Sequence, residues 1–124
     1  MRVFKVKVFA RFQRKERLSD EALCRAVRDI EAGLVDADLG HGLVKQRVAR
    51  QGQGKSGGYR TIIAYRSTTR AVFLFGFAKS DKANLLSDEQ DRLSSVGAYW
   101  LQASEDEIEA AIADDEVWEI DFDP

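Results

Sequence analysis

Cysteine, histidine, methionine and proline each occur only once in these 124 residues. The scarcity of the first two excludes several kinds of chemistry. A lone cysteine, Cys24, leaves no disulfide framework and suits a reducing compartment. It falls in an amphipathic stretch, where a small, partly buried apolar role is expected rather than a nucleophilic one. One cysteine and one histidine cannot build the common zinc sites, so no metal is expected. His41 stands between Gly40 and Gly42 with no positioned partner for acid–base or serine-hydrolase work, and a solvated loop position is expected for it. No apolar run approaches the length of a membrane span, and the opening M-R-V-F-K-V-K-V-F lacks a signal-peptide core. A cytoplasmic protein with no membrane partner is expected. The only proline is Pro124, and no linker or repeat divides the chain.

Acidic residues are also missing, but only locally. None occurs between Asp38 and Asp81, while eight basic residues do: Lys45, Arg47, Arg50, Lys55, Arg60, Arg66, Arg70 and Lys79. Residues 1–79 carry 17 Lys+Arg against 7 Asp+Glu, and residues 80–124 carry 2 against 14, so the net charge of −2 conceals a polarised chain. One strongly basic face implies an anionic partner, with nucleic acid the leading candidate.

Hydrophobic periodicity supplies the elements. Phe4, Val6 and Val8 alternate with Lys5 and Lys7 as in a half-buried strand, and A-R-F-Q-R-K-E-R then reads as a short basic helix. Ser19 is a good N-cap, Asp20 and Glu21 favour the helix dipole, Leu23, Val27, Ile30 and Leu34 follow at three- and four-residue spacing, and Gly33 is placed to end the helix. Residues 43–50, 59–66 and 71–78 are three strand-like runs with short joins, expected to be antiparallel neighbours. Between the first two lies a glycine-rich loop, 51–58. Ser87 is expected to cap a helix to about Gln102, and Ser104 with Glu107 forms a capping box for a helix over Glu105–Ala113. The fold class is therefore α+β: an N-terminal strand and helical hairpin on an antiparallel sheet, followed by an acidic helical extension.

Gly54-Lys55-Ser56 looks like the end of a P-loop, G-x-x-x-x-G-K-[ST]. The first glycine would have to be residue 49, which is Ala49, and Y-R-T-I-I-A-Y follows where a helix should begin. Neither a nucleoside triphosphate site nor a cofactor is expected.

The cationic sheet remains. By alternation Lys45 and Arg47 share one face while Val44, Gln46 and Val48 share the other, and a sensible register would bring Arg60 beside them with Lys55 above. Such a cluster attracts phosphate. Crowded like charges also make a lysine readier to act as a base, and arginines stabilise charge developing on phosphorus. This machinery needs no metal and suits RNA, whose 2′-hydroxyl is its own nucleophile.

The same residues resemble a family. A strand, two helices and three antiparallel strands, with V-K-Q-R-V-A-R-Q-G-Q-G-K-S-G-G-Y-R-T-I-I-A-Y and F-L-F-G-F-A-K-S-D, resemble the RelE/ParE superfamily of toxin–antitoxin toxins, and more narrowly its HigB-like branch. The resemblance covers residues 1 to about 103, with 104–124 as an acidic extension of the same domain. It implies a microbial-RNase-like fold, cleavage of mRNA on the ribosome, and a cognate antitoxin, a small helix-turn-helix protein. By the resemblance Arg60 and Lys79 stabilise the phosphate, Lys55, Lys45 or Arg47 handle protons, and Arg50, Gly54, Tyr59 and Lys82 contact RNA. RelE itself has a further arginine after the last of these strands and a tyrosine opening the final helix. Here those regions read Ser80-Asp81 and Leu85-Leu86. The alternatives are an inactive basic module that binds nucleic acid or antitoxin, and a ParE-like gyrase inhibitor. Two roles are open for the tail, in which Trp118, Ile120 and Phe122 alternate with Glu119 and Asp121: a packed, solubilising element, or an acidic strand that competes with RNA for the basic sheet.

Overall fold

The computed structural model describes residues 1–50, 54–79 and 84–122, with the side chains of 50 and 54–57 outside the description. The elements are β1 (Arg2–Val6), α1 (Lys7–Glu16), α2 (Asp20–Glu31), β2 (Ala37–Gly40), β3 (Leu43–Arg50), β4 (Gly54–Arg66), β5 (Arg70–Ala78), α3 (Ser87–Gln102), α4 (Glu105–Ala113) and β6 (Val117–Ile120). The strands form one six-stranded sheet in the order β2-β3-β4-β5-β1-β6. β1 and β5 are parallel, and the other pairs are antiparallel. The sheet is thus mixed within an α+β fold.

Alternation along the strands sends apolar side chains to both faces, so the sheet needs helices on both sides. One face holds Phe9 of α1, Leu23, Val27 and Ile30 of α2, and Val44, Val48, Ile63 and Phe73 of the sheet. The other holds Leu43, Ile62, Ala64, Val72 and Leu74 against Trp100 and Leu101 of α3 and Ile108 of α4. Close approach is built in at two glycines. A Cβ on Gly76 would meet the Phe12 ring at 2.4 Å, and one on Gly97 of α3 would lie 3.2 Å from Ala64 Cβ.

Several elements differ from the pattern expected of the sequence. The Lys5–Val8 alternation does not continue as strand: α1 starts at Lys7 and leaves Val8 52% exposed, because Phe9 and Phe12 must reach the sheet. β2 is an added strand, joined to β3 through His41 and Gly42, both at positive φ as a tight hairpin turn demands. The glycine-rich segment is not all loop, since Gly54, Gly57 and Gly58 lie within β4 and Gly54 pairs with Arg50; Gly52 lies outside the described residues. Ser87 is the first residue of α3 rather than its cap; the Leu86 N–H donates instead to the Glu89 carboxylate at 2.9 Å. The caps at Ser19 and Ser104 form as their sequence signals indicate.

Cys24 is buried, its Sγ 3.5 Å from the Asp121 carbonyl oxygen, and burial pushes the thiol up, away from nucleophilic use. Gln13 is a buried amide with its hydrogen bonds met: it donates to the Leu18 carbonyl and Asp20, and accepts from Lys5 Nζ at 2.7 Å. Burial alone would raise the Asp20 carboxyl, but hydrogen bonds from Gln13 and Lys5 outweigh it and hold the group down.

The acidic end of the chain is tied to two arginines. Arg2 reaches Glu105, Glu109 and Glu119 at 2.6–3.0 Å. The buried Arg70 donates to the carbonyls of Trp100 (2.7 Å) and Ala103 (2.8 Å), closing the end of α3, and pairs with Glu105. Arg2 holds the Glu119 carboxyl below its ordinary value, and Arg2 with Arg70 does the same for Glu105. Depressed carboxyls contribute stability above the ordinary glutamate value of 4.5 and lose it as pH falls through their folded values. Thermal melts should show this. The fall in Tm between about pH 6 and pH 3 is expected to be smaller for Arg2→Ala than for the unaltered protein, and an equal fall would show that the cluster does not contribute.

Candidate nucleic-acid interface

The register of the central strands determines which side chains meet. Lys45 lies opposite Ile62, which lies opposite Phe75; Arg47 lies opposite Arg60, which lies opposite Phe77. These two rows project on the face that α3 and α4 pack against, next to the Leu43–Ala64–Val72 row. Gly97, in the C-terminal half of α3, lies over Leu43, Ala64 and Leu74. The cationic rows lie further along the strands, toward the N-terminal end of α3, and Asn84 just before that helix accepts a hydrogen bond from Lys45 Nζ at 3.2 Å.

Arg60 is the unusual member. It is only 8% exposed, its Nη1 has no hydrogen-bond partner, and another arginine lies directly across the ladder. Like charges opposite each other destabilise a sheet, and a buried cation without a counter-charge costs several kcal/mol. Among the described residues no carboxylate pairs with Lys45, Arg47, Arg60 or Lys79. The planar guanidinium with an unused donor is matched to phosphate.

Lys45 is half-buried and Arg47 exposed on this face. The strand end that carries Arg47 is tied down by Asp36, whose carboxylate accepts from the Arg47 N–H at 2.6 Å, and by the buried Gln46 amide, bonded to Asp36 N and the Leu34 carbonyl. Lys79 is exposed and follows β5 directly, two residues beyond Phe77. Gly54 opens β4 opposite Arg50. The side chains of Arg50 and Lys55 lie outside the described residues, as does Lys82 altogether.

Tyr59 is a correction. Expected as an RNA contact, it points to the other face, 2% exposed, edge-on to Phe12, with its hydroxyl donating to Glu16 at 2.8 Å. Period two explains it: a residue next to Arg60 in β4 must face the opposite way. The sequence reading also missed members. Phe75 and Phe77 share the cationic face, their ring centroids 6.0 Å apart, while Phe73 packs on Phe9 across the sheet. Strict alternation would place all three together. A bulge, where Ile62 and Ile63 pair with Phe75 and Phe73, separates them.

The chain matches the family model for the RelE toxin of the RelE/RelB toxin–antitoxin system over residues 1–120, and it belongs to that family. Membership makes it the toxin of such a system and implies an antitoxin partner. No curated protein matches the chain significantly. Among the described residues no helix is long and apolar enough to cross a membrane.

Proposed function

We propose that this toxin is a metal-free endoribonuclease of the HigB-like branch that cleaves mRNA on the ribosome in the cytoplasm and is held inactive by a small helix-turn-helix antitoxin. One observation carries the reading: the Arg60 guanidinium is buried with a partnerless Nη1 and Arg47 directly across the ladder, a concentration of positive charge that suits a phosphate. A phosphodiester bound there would place the preceding ribose near the Lys45 row. The 2′-oxygen attacks phosphorus as its proton passes to a basic group, Lys45 on this face or Lys55. The bond to the 5′-oxygen breaks, that oxygen takes up a proton, and the products are a 2′,3′-cyclic phosphate and a 5′-hydroxyl. Arg60 and Lys79 stabilise the charge gathering on the phosphoryl oxygens, with Arg47 beside them; Arg50, Gly54 and Lys82 contact the strand.

The ribosome part of the reading has its own support. On the opposite side of the sheet α1 exposes Lys7, Arg11, Arg14 and Lys15, and none of them forms an ion pair among the described residues. A single-sign stripe at helical spacing suits the phosphates of a surrounding RNA. The test is incubation with mRNA, alone and on translating ribosomes. Cleavage leaving cyclic-phosphate ends, abolished by a 2′-deoxy substitution at the cut position, is expected only in the presence of ribosomes. Intact mRNA in both conditions, with harmless expression in cells, would sink the enzyme reading in favour of an inactive binding module.

A further inference from the structure

The sheet ends on an open edge beside a groove. β6 pairs with β1 on one side only, so every second residue along it turns its backbone N–H and C=O outward with no strand to meet them. Trp118 lies opposite Lys5 in that ladder, and both side chains line a groove of about 570 Å³ on the α1 side of the sheet. Arg14 of α1, with Arg17 and Leu18 of the turn into α2, forms its wall. Lys5 is already engaged there, its Nζ bonded to Gln13 and Asp20. Arg14 and Arg17 are exposed and form no ion pair among the described residues. The half-buried Trp118 and Leu18 add apolar surface between them. On the α4 side of the same edge the sign reverses, because Glu105, Glu109 and Glu119 share only Arg2 and Arg70.

These features select among occupants. A second copy of the chain joined through β6 would set two acidic strands side by side, with Glu116, Glu119 and Asp121 on each, and like charges across a ladder destabilise it. RNA has phosphates for the arginines but no amides for the edge. An extended acidic peptide has both. We infer that this groove and the β6 edge dock the antitoxin: an extended antitoxin segment adds a further strand outside β6. Its acidic and apolar side chains face Arg14, Arg17 and Trp118, and the alternate positions, which face Glu119, carry basic or uncharged ones. The inference rests on the antitoxin partner that family membership implies, and not on the RNA chemistry of the Arg60 face across the sheet.

The probe is the full-length antitoxin of the same gene pair, titrated against the full chain and its variants. Amide hydrogen exchange on the toxin, alone and in complex, is expected to slow at residues 117–120 by about tenfold or more, as new strand pairing requires. The double variant Arg14→Glu with Arg17→Glu alters only exposed side chains and should lose about 10- to 100-fold in antitoxin affinity. Trp118→Ala should lose about 30-fold, the effect of a central aromatic anchor, and thermal melts show whether it folds. Arg92→Glu, on the exposed surface of α3, should bind as the wild type does. Unchanged exchange at 117–120, or wild-type affinity of the folded arginine variant, would overturn the docking surface. Loss of ribosome binding alone in that variant would give the groove to RNA. Protection of 117–120 that grows with toxin concentration in the absence of antitoxin would give the edge to a second copy. None of these results bears on RNA cleavage, which the Arg60 variants test separately.

Discussion

Arg60→Met is expected to lower RNA cleavage by about a hundredfold, roughly 3 kcal/mol of transition-state stabilisation, without lowering Tm. The two halves of this expectation have one cause. The Arg60 guanidinium is buried, has an unpartnered Nη1, and faces Arg47 across the ladder. Its charge therefore opposes folding, while its aliphatic stem packs beside Ile62 and Phe77. Methionine keeps a stem of similar volume and removes the charge, so the fold loses a cost and the reaction loses its best-placed donor. Arg60→Lys should not restore activity, because an ammonium cannot present the planar fork. Growth arrest on induction, mRNA integrity and thermal melts are the readouts. Wild-type cleavage by a folded Arg60→Met protein would remove Arg60 from the mechanism. A sharp drop in Tm would instead make its charge part of the fold.

Legibility of this molecule followed side-chain periodicity and ended where backbone pairing decides. The face shared by Lys45, Arg47 and Arg60 was readable, because period two within each strand and short connections leave little freedom of register. The split of Phe73 from Phe75 and Phe77 was not, since a bulge depends on how two strands accommodate each other and leaves no mark in either one. β2 escaped for a related reason: four residues, Ala37–Gly40, have too little pattern to declare a strand, although the Gly40-His41-Gly42 turn beside it was visible. The glycine-rich run at 54–58 lacks side chains that would signal a strand, and its strand character comes from pairing with its neighbours. Tyr59 stood among the RNA contacts through the resemblance, whereas the same alternation that united the cations sends it under α1. Asn84 and Asp36 act through single contacts across the fold, which composition and spacing cannot show.

Truncation after Ala103 is expected to abolish the folded state rather than to free the basic face. The acidic segment is part of the body on both sides of the sheet. Ile108 and Val117 are fully buried in the core under α3 and α4, and Ile120 is buried in the core under α1 and α2. Trp118, with which docking of the tail was first associated, is only half-buried. At ~1.5–3 kcal/mol for each fully buried large aliphatic side chain, losing these three removes roughly 5–9 kcal/mol, comparable with the whole stability of a domain this size. β6 also supplies the antiparallel partner of β1, so its loss turns β1 into an open edge and leaves Arg2 and Arg70 without Glu105, Glu109 and Glu119. Competition with RNA finds no geometric support: β6 is separated from β4 by β5 and β1, Glu105, Glu109 and Glu119 pair with Arg2 and Arg70, and among the described residues no tail carboxylate pairs with Lys45, Arg47 or Arg60. A milder variant separates charge from packing. Glu109→Gln with Glu119→Gln keeps every buried side chain, and it should lower Tm by a few degrees at most, since partly exposed ion pairs contribute ~0–1 kcal/mol each, while RNA affinity at low salt stays unchanged. Tighter RNA binding by that folded double variant would restore the autoinhibitory role, whereas a truncated chain that melts cooperatively near the wild-type Tm would show that the last two elements are dispensable to the core.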